Sequence, residues 1–167
     1  MSKLIVMSGV PGSGKSYFSQ TLKKMRRKHV YIVSSDNLRE SILGDLKDIS
    51  EEELIWKIFY NLPKIYKEDK NAYVILDATH INSKRRLEIV DMFKNDFDEI
   101  DLVAFTLDKE LIKHQNIERE NPVSIDVLKM FMDTYEYPSE EEYKKYDNVF
   151  VISTNDIVPV IYRIIED

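Results

Sequence analysis

Cysteine is missing from the chain altogether. Its absence excludes disulfides and thiolate-held metals and fits a cytoplasmic protein. Glycine is nearly as scarce, with four residues in 167, and no stretch reads as a linker, a low-complexity tract or an internal repeat. Long apolar runs are lacking too: nothing approaches the ~20 residues that a membrane-spanning helix needs. The apolar run that opens the chain after Lys3 is too short for the core of a secretory leader. Acidic side chains are absent from the first 35 residues, which hold Lys3, Lys15, Lys23, Lys24, Arg26, Arg27 and Lys28; all 30 aspartates and glutamates come later. The net charge of −6 argues against loose, sequence-blind binding to long nucleic acid. It leaves room for a local basic site that takes a phosphate or a nucleic-acid end.

What remains is an ordinary globular composition, 43% hydrophobic and 32% charged over 167 residues, which predicts a single domain spanning residues 1–167. Apolar runs at 3–7, 30–34, 72–77, 100–107 and 148–154 read as strands. Helical spacing lies between them. One helix runs from Gly14 to about Arg27 with Phe18, Leu22 and Met25 on one face. A short piece opens at Asp36 and ends near Gly44. A longer helix follows a Ser50-x-x-Glu53 capping box and is kinked at Pro63. Asn82 or Ser83 caps a helix with Leu87, Val90 and Phe93 inward, Asp108 caps the next, Ser124 starts another, and Asn155 caps the last. The acidic stretch 139–147 reads as a solvated helix. Strands and helices alternate five times, which predicts an α/β fold: a five-stranded parallel sheet with helices on both faces.

Three of the four glycines fall within eight residues, Gly9-Val10-Pro11-Gly12-Ser13-Gly14-Lys15-Ser16. The run fits G-x-x-x-x-G-K-[ST], with the strand before and helix after that the pattern requires. Triphosphate oxygens must be surrounded by backbone N–H groups, so the loop must curl through dihedrals a Cβ forbids. The helix that follows points its positive end at the phosphates. Lys15 reaches the β- and γ-phosphates and Ser16 offers a hydroxyl to Mg²⁺. Residues 9–17, closing with Tyr17, are therefore the expected nucleotide loop.

Two further segments leave strand ends on the same crevice side as this loop. Asp36 and Arg39 lie three apart in SSDNLRE and share a helical face. A carboxylate there accepts the proton of an attacking hydroxyl, and an arginine beside it holds an anionic group of the acceptor; a helix cap with a local ion pair is the plainer alternative. Asp77, closing ILD, is the acid expected to place Mg²⁺ with Ser16. His80 either touches substrate or is a surface loop histidine. Lys84, Arg85 and Arg86 at a helix start point to an anionic partner or to a solvated face. Arg119 precedes the break at Asn121-Pro122, where P-loop kinases close a lid, here about 109–124, and bring an arginine onto the transferring group. The basic cluster Lys23–Lys28 lies about 15–20 Å along its helix from the loop; it is a solvated helix end or a nucleic-acid contact. The ten tyrosines serve base stacking or, more cheaply, helix packing.

Taken together, GVPGSGKS, SSDNLRE, VILDATHINSKRR and HQNIERENPVSIDVL resemble the P-loop kinases related to the phage polynucleotide 5′-kinase, the zeta-toxin- and polynucleotide-kinase-like ATP-binding kinases. The resemblance spans Ser2 to about Phe131. It implies ATP as the nucleotide, Asp36 as general base on a 5′-hydroxyl, Arg39 on the acceptor's phosphate, Arg119 on the transferring phosphate and Asp77 near metal and substrate. Two departures stand out: the lid reads Gln115-Asn116-Ile117-Glu118-Arg119 where R-N-x-x-R is usual, and D-A-T-H replaces D-A-T-N. The expectation is an ATP- and Mg²⁺-dependent kinase whose acceptor is first the 5′-hydroxyl of RNA or DNA. A small-molecule hydroxyl comes second, and a nucleotide-binding regulatory module third.

Overall fold

In the computed structural model, which describes residues 1–166, the five strands are β1 (Lys3–Ser8), β2 (Val30–Ser34), β3 (Tyr73–Asp77), β4 (Glu99–Phe105) and β5 (Asn148–Ile152). They form one sheet in the order β2-β3-β1-β4-β5. Every pairing is parallel, with Leu4 opposite both Val74 and Ile100. Among the described residues, eight helices connect or flank them: α1 (Lys15–Arg26), α2 (Ser35–Leu43), α3 (Glu52–Tyr66), α4 (Ser83–Phe93), α5 (Lys109–Glu118), α6 (Ile125–Thr134), α7 (Glu140–Lys145) and α8 (Val158–Glu166).

The period of two along β1 divides its side chains between two cores. Ile5 and Met7 pack with Phe18 and Leu22 of α1, Leu128 of α6, and Ile161 and Ile164 of α8. Leu4 and Val6 pack on the opposite face with Phe59 of α3 and Ile89 and Phe93 of α4. Helices thus cover both faces, which is why the strands read as unbroken apolar runs. β1 sits at the centre, and the direction of strand addition reverses on either side of it. The crevice outside its carboxyl end is the expected ligand site of such a sheet. Among the described residues no helix is long and apolar enough to cross a membrane.

Several local expectations change. The Ser50–Glu53 capping box does not form: α3 starts after Glu51 with no side-chain cap, and the Ser50 N–H donates to Asp48 instead. As expected, α3 includes Pro63 and Ile65, and it ends at Tyr66. β4 and β5 stop two residues early, at Phe105 and Ile152, where Thr106 N–H closes the ladder on the Ile152 carbonyl. Asn155 does not cap α8, which begins at Val158; its side chain accepts from Gln115. Asn82, not Ser83, caps α4 by accepting from the Arg85 N–H at 2.8 Å.

The largest correction concerns charge. The helix at 139–147 is not a simple solvated face, because Glu142 is 0% exposed, as is Arg86 on α4. Arg86 pairs with Glu142 through Nε and donates through its other nitrogens to Ser8 Oγ (3.1 Å), the His80 carbonyl (2.8 Å) and the Glu136 carbonyl (2.8 Å). Arg86, not Leu87, is thus the inward residue of that turn; Leu87 is half-buried. In the basic cluster on α1, Arg26 lies 3.7 Å from the centroid of the Tyr73 ring and donates to the Asn71 carbonyl at 2.9 Å. At least this one of the cluster's cations is a packing residue.

Candidate active site

The loop between β1 and α1 is built from backbone freedom and close contact. Gly12 and Gly14 have φ of 81° and 97°, a left-handed region that side chains avoid. A Cβ on Gly9 would stand 2.5 Å from Ser13 Oγ, so the loop could not close over it. The Gly9 N–H donates to the Thr79 carbonyl at 2.9 Å and ties the loop to the end of β3. No acidic residue lies in the first turn of α1, which leaves its N–H groups and dipole free for an anion. The Val10 and Pro11 side chains are buried, Val10 within the core, while Gly12 to Tyr17 line a cavity.

Lys15 is 8% exposed, and its Nζ donates to the Gly9 and Val10 carbonyls at 2.9 Å each. Burial brings its pKa down to about 8, Asp77 and Asp36 oppose that shift, and Arg119 adds to it. Asp77 closes β3 with 7% exposure, and its Oδ2 accepts from Ser16 Oγ at 3.0 Å. Burial raises its pKa; Lys15 and the Ser16 hydroxyl pull it back, Asp36 adds to the rise, and Arg119 lowers it. The charges of Lys15, Asp77, Asp36 and Arg119 therefore act on one another in a single site, although they come from four separate segments.

Asp36 lies in the first turn of α2, but Ser34 supplies the cap, accepting from the Asn37 N–H at 3.3 Å. The Asp36 carboxylate is thus not spent on the helix terminus. It accepts from Arg39 Nη1 at 3.0 Å and is half exposed. Arg39 has a second partner that the sequence did not reveal. Its Nε and Nη2 donate to the two oxygens of Glu52 at 2.6 and 2.8 Å, a bidentate pair that raises the arginine's pKa and depresses the carboxylate's. Trp56 Nε1 also donates to Glu52, at 3.0 Å.

A cavity of about 480 Å³ opens beside the loop. Its far wall is Phe105, Thr154, Asn155 and Ile157, and its roof is Gln115 and Arg119 of the α5 region. None of the residues of the far wall was expected; the signal available was their position at or just past the ends of β4 and β5, on the ligand side of the sheet. Arg119 follows α5, and its Nη1 is buried without a partner, as are Gln115 Oε1 and Ser13 Oγ. A buried donor without a partner is costly, and an anion in the cavity would satisfy it. Asn116 anchors the α5–α6 loop through both its amide atoms to Val123, at 2.9 and 3.1 Å. His80 is neither a surface residue nor in this cavity. It is 6% exposed and hydrogen-bonds through Nδ1 to the Met7 carbonyl at 2.7 Å, and burial brings its pKa down to about 4.

Residues 4–138 match the family described as an AAA domain, AAA_33. The chain belongs to this family of P-loop kinase domains. It is 30% identical over 138 residues to an L-seryl-tRNA(Sec) kinase of Methanococcus maripaludis, a match that covers 81% of the chain and 53% of that kinase. The chain thus spans about half that relative's length. Among solved structures it is similar in fold to Chaetomium thermophilum Kti12 in complex with ADP-AlF3 (TM-score 0.70, 17% identity, covering 98% and 95% of the two chains). It is also similar to a fungal RNA kinase (TM-score 0.64, 16% identity, covering 93% and 77%). These likenesses agree with the five-stranded parallel P-loop kinase fold.

Proposed function

We propose that the protein is an ATP-dependent phosphotransferase that moves the γ-phosphate of ATP to a hydroxyl, with the 5′-hydroxyl of RNA or DNA as the first acceptor. The observation that carries the transfer is the position of Asp36, a carboxylate free of helix-capping duty and electrostatically joined to Lys15 and Asp77 of the phosphate site. Asp36 takes the proton of the acceptor hydroxyl as its oxygen attacks the γ-phosphorus. The bond from phosphorus to the β–γ bridging oxygen breaks, and ADP leaves. The loop amides and Lys15 hold the triphosphate, and Arg119 neutralises charge on the transferred group. Residues 1–167 form one kinase domain, with about 109–124 as the lid that carries Arg119 over the loop.

The donors fit Mg²⁺, a hard cation that prefers oxygen. Ser16 Oγ and Asp77 Oδ2 would hold it, and it would supply charge neutralisation between the β- and γ-phosphates. Arg39 is shared between Asp36 and Glu52, so its first role is to fix the base. To hold an acceptor phosphate as well, it must loosen from one of the two carboxylates.

The relative named for L-seryl-tRNA supports an acceptor that belongs to an RNA, without pointing to its 5′-hydroxyl. The net charge of −6 favours the second reading, a small-molecule hydroxyl. Transfer of labelled γ-phosphate to short 5′-hydroxyl RNA and DNA, with Lys15→Ala as control, separates them. Labelled oligonucleotide that disappears in the variant supports the first reading. Label on small hydroxyl compounds alone supports the second.

A further inference from the structure

A second cleft, of about 580 Å³, lies between α3 and α4 and reaches the loop that follows β3. Its chemistry is unlike the rest of the molecule. Lys57 and Lys64 of α3 and Arg85 of α4 line it, with Trp56 and Tyr60 between them, and its described lining contains no aspartate or glutamate. In a chain with 30 acidic residues against 24 basic, a cleft of that size whose charged lining is all cationic needs a reason. The three cations are exposed. Arg85 has one acidic neighbour, Glu88, at 3.2 Å, with both side chains about half exposed; neither lysine has a salt-bridge partner among the described residues.

The aromatic rings are held in place. The Tyr60 hydroxyl meets His80 Nε2 at 3.4 Å, and His80 is fixed from its other nitrogen by the Met7 carbonyl. The Arg85 guanidinium stands 6.0 Å from the Tyr60 ring centroid, and Trp56 and Tyr60 stack at 5.9 Å with 25° between their planes. The cleft is also joined to the catalytic end. Trp56 donates to Glu52, which grips Arg39, which grips Asp36. Thr79, a lining residue, accepts through its carbonyl from the Gly9 N–H of the phosphate loop.

Cations spaced along a cleft, with fixed aromatic faces between them, suit a chain of phosphates and bases: the phosphates pair with the cations and the bases stack on the rings. We infer that the α3–α4 cleft binds the single strand that continues 3′ of the phosphorylated end, with Lys57, Lys64 and Arg85 on its phosphates and Trp56 and Tyr60 on its bases. This rests on the 5′-hydroxyl polynucleotide reading and deepens it, because it makes the enzyme a reader of strand length.

Trp56 is the one tryptophan in the sequence, so its fluorescence reports on the cleft without any turnover. The probe is a single-stranded octamer carrying a 5′-phosphate, which occupies the strand site but cannot accept a second transfer. The octamer should quench Trp56 saturably, with a slope of about −2 in log K against log salt, from about −0.7 for each of three phosphate contacts. In Lys57→Glu/Lys64→Glu, two surface substitutions that leave the core untouched, binding should weaken by about tenfold or more and the slope should shrink accordingly. In turnover assays the same variant should raise KM for a 5′-hydroxyl octamer and leave KM for ATP alone. Octamers phosphorylated efficiently without any Trp56 quench would overturn the cleft and spare the kinase reading. Quench by a nucleoside 3′-monophosphate as strong as by the octamer would overturn the strand. Saturable, salt-dependent quench with no phosphorylation would support the cleft and remove the 5′-hydroxyl reading.

Discussion

At the scale of single residues, the site is a set of charges whose partners decide their roles. Arg119 has a buried Nη1 with no partner and acts on both Lys15 and Asp77. Arg119→Ala should lower kcat about 10³-fold, the low end for an arginine that neutralises a transferring phosphoryl group. Steady-state kinetics with saturating ATP measures it, and an unchanged kcat removes Arg119 from the transfer step. Glu52 is a residue of the catalytic charge network that sequence reasoning missed. Glu52→Gln keeps the shape but drops the charge that holds Arg39, so the Asp36–Arg39 pair should re-form in other geometries. KM for the acceptor should change and kcat should fall about tenfold, on the scale of a lost charge-assisted hydrogen bond, while KM for ATP stays the same. The Asp36–Arg39 pair was legible because three residues apart on a helix is a neighbour relation. Glu52 was not, because it is thirteen residues on from Arg39 and meets it across the α2–α3 junction, where no period operates.

At the scale of elements, the strands and most caps were legible because each is a local decision. Asp108, Ser124 and Asn82 cap their helices as their chemistry dictates. What stayed hidden is the choice made by packing between elements. Three consecutive glutamates open α7; the capping box with Ser139, whose N–H donates to Glu142 at 2.8 Å, singles out Glu142 locally, and the placement of α4 brings Arg86 to it. That pair ties α4 and α7 to Ser8 at the end of β1 and to the His80 carbonyl, directly behind the phosphate loop. Glu142→Ala leaves a buried guanidinium without its counter-charge and should cost about 3–5 kcal/mol, a fall of roughly 6–20 °C in Tm for a domain of this size. Replacing both partners with apolar residues, Arg86→Met with Glu142→Leu, should recover much of that loss. Thermal unfolding of the three proteins tests it; a single variant with wild-type Tm would mean the pair does not support the fold.

At the scale of the whole molecule, the two ends of the sheet carry different electrostatics. The carboxyl end holds the phosphate site. The amino end holds Lys3, Glu99, Asp101 and Asn148, with Lys3 Nζ 2.8 Å from Glu99 and Asn148 donating to Glu99 at 3.1 Å and Asp101 at 2.9 Å. Asp101 is 0% exposed, and burial, opposed by the Asn148 bond, pushes its pKa up to about 7. Its unfolded value is about 4, so between about pH 4 and pH 7 the folded state binds the extra proton. Its contribution to stability therefore falls as pH rises through that window and levels off above it. Asp101→Asn should remove this slope, so the stability gained over wild type should be larger at pH 8 than at pH 5, read from denaturation midpoints at both. An equal difference at the two pH values would mean that Asp101 is not protonated in the fold. The proposed activity needs one site that both holds ATP and accepts the proton of an acceptor. The measurement that tests it most directly is Asp36→Asn, with ATP affinity and γ-phosphate transfer determined on the same preparation. ATP affinity should stay within about twofold of wild type and transfer should fall by about 10²–10⁴, the range for loss of a general base. Transfer at the wild-type rate would contradict it, as would loss of ATP binding in step with loss of transfer.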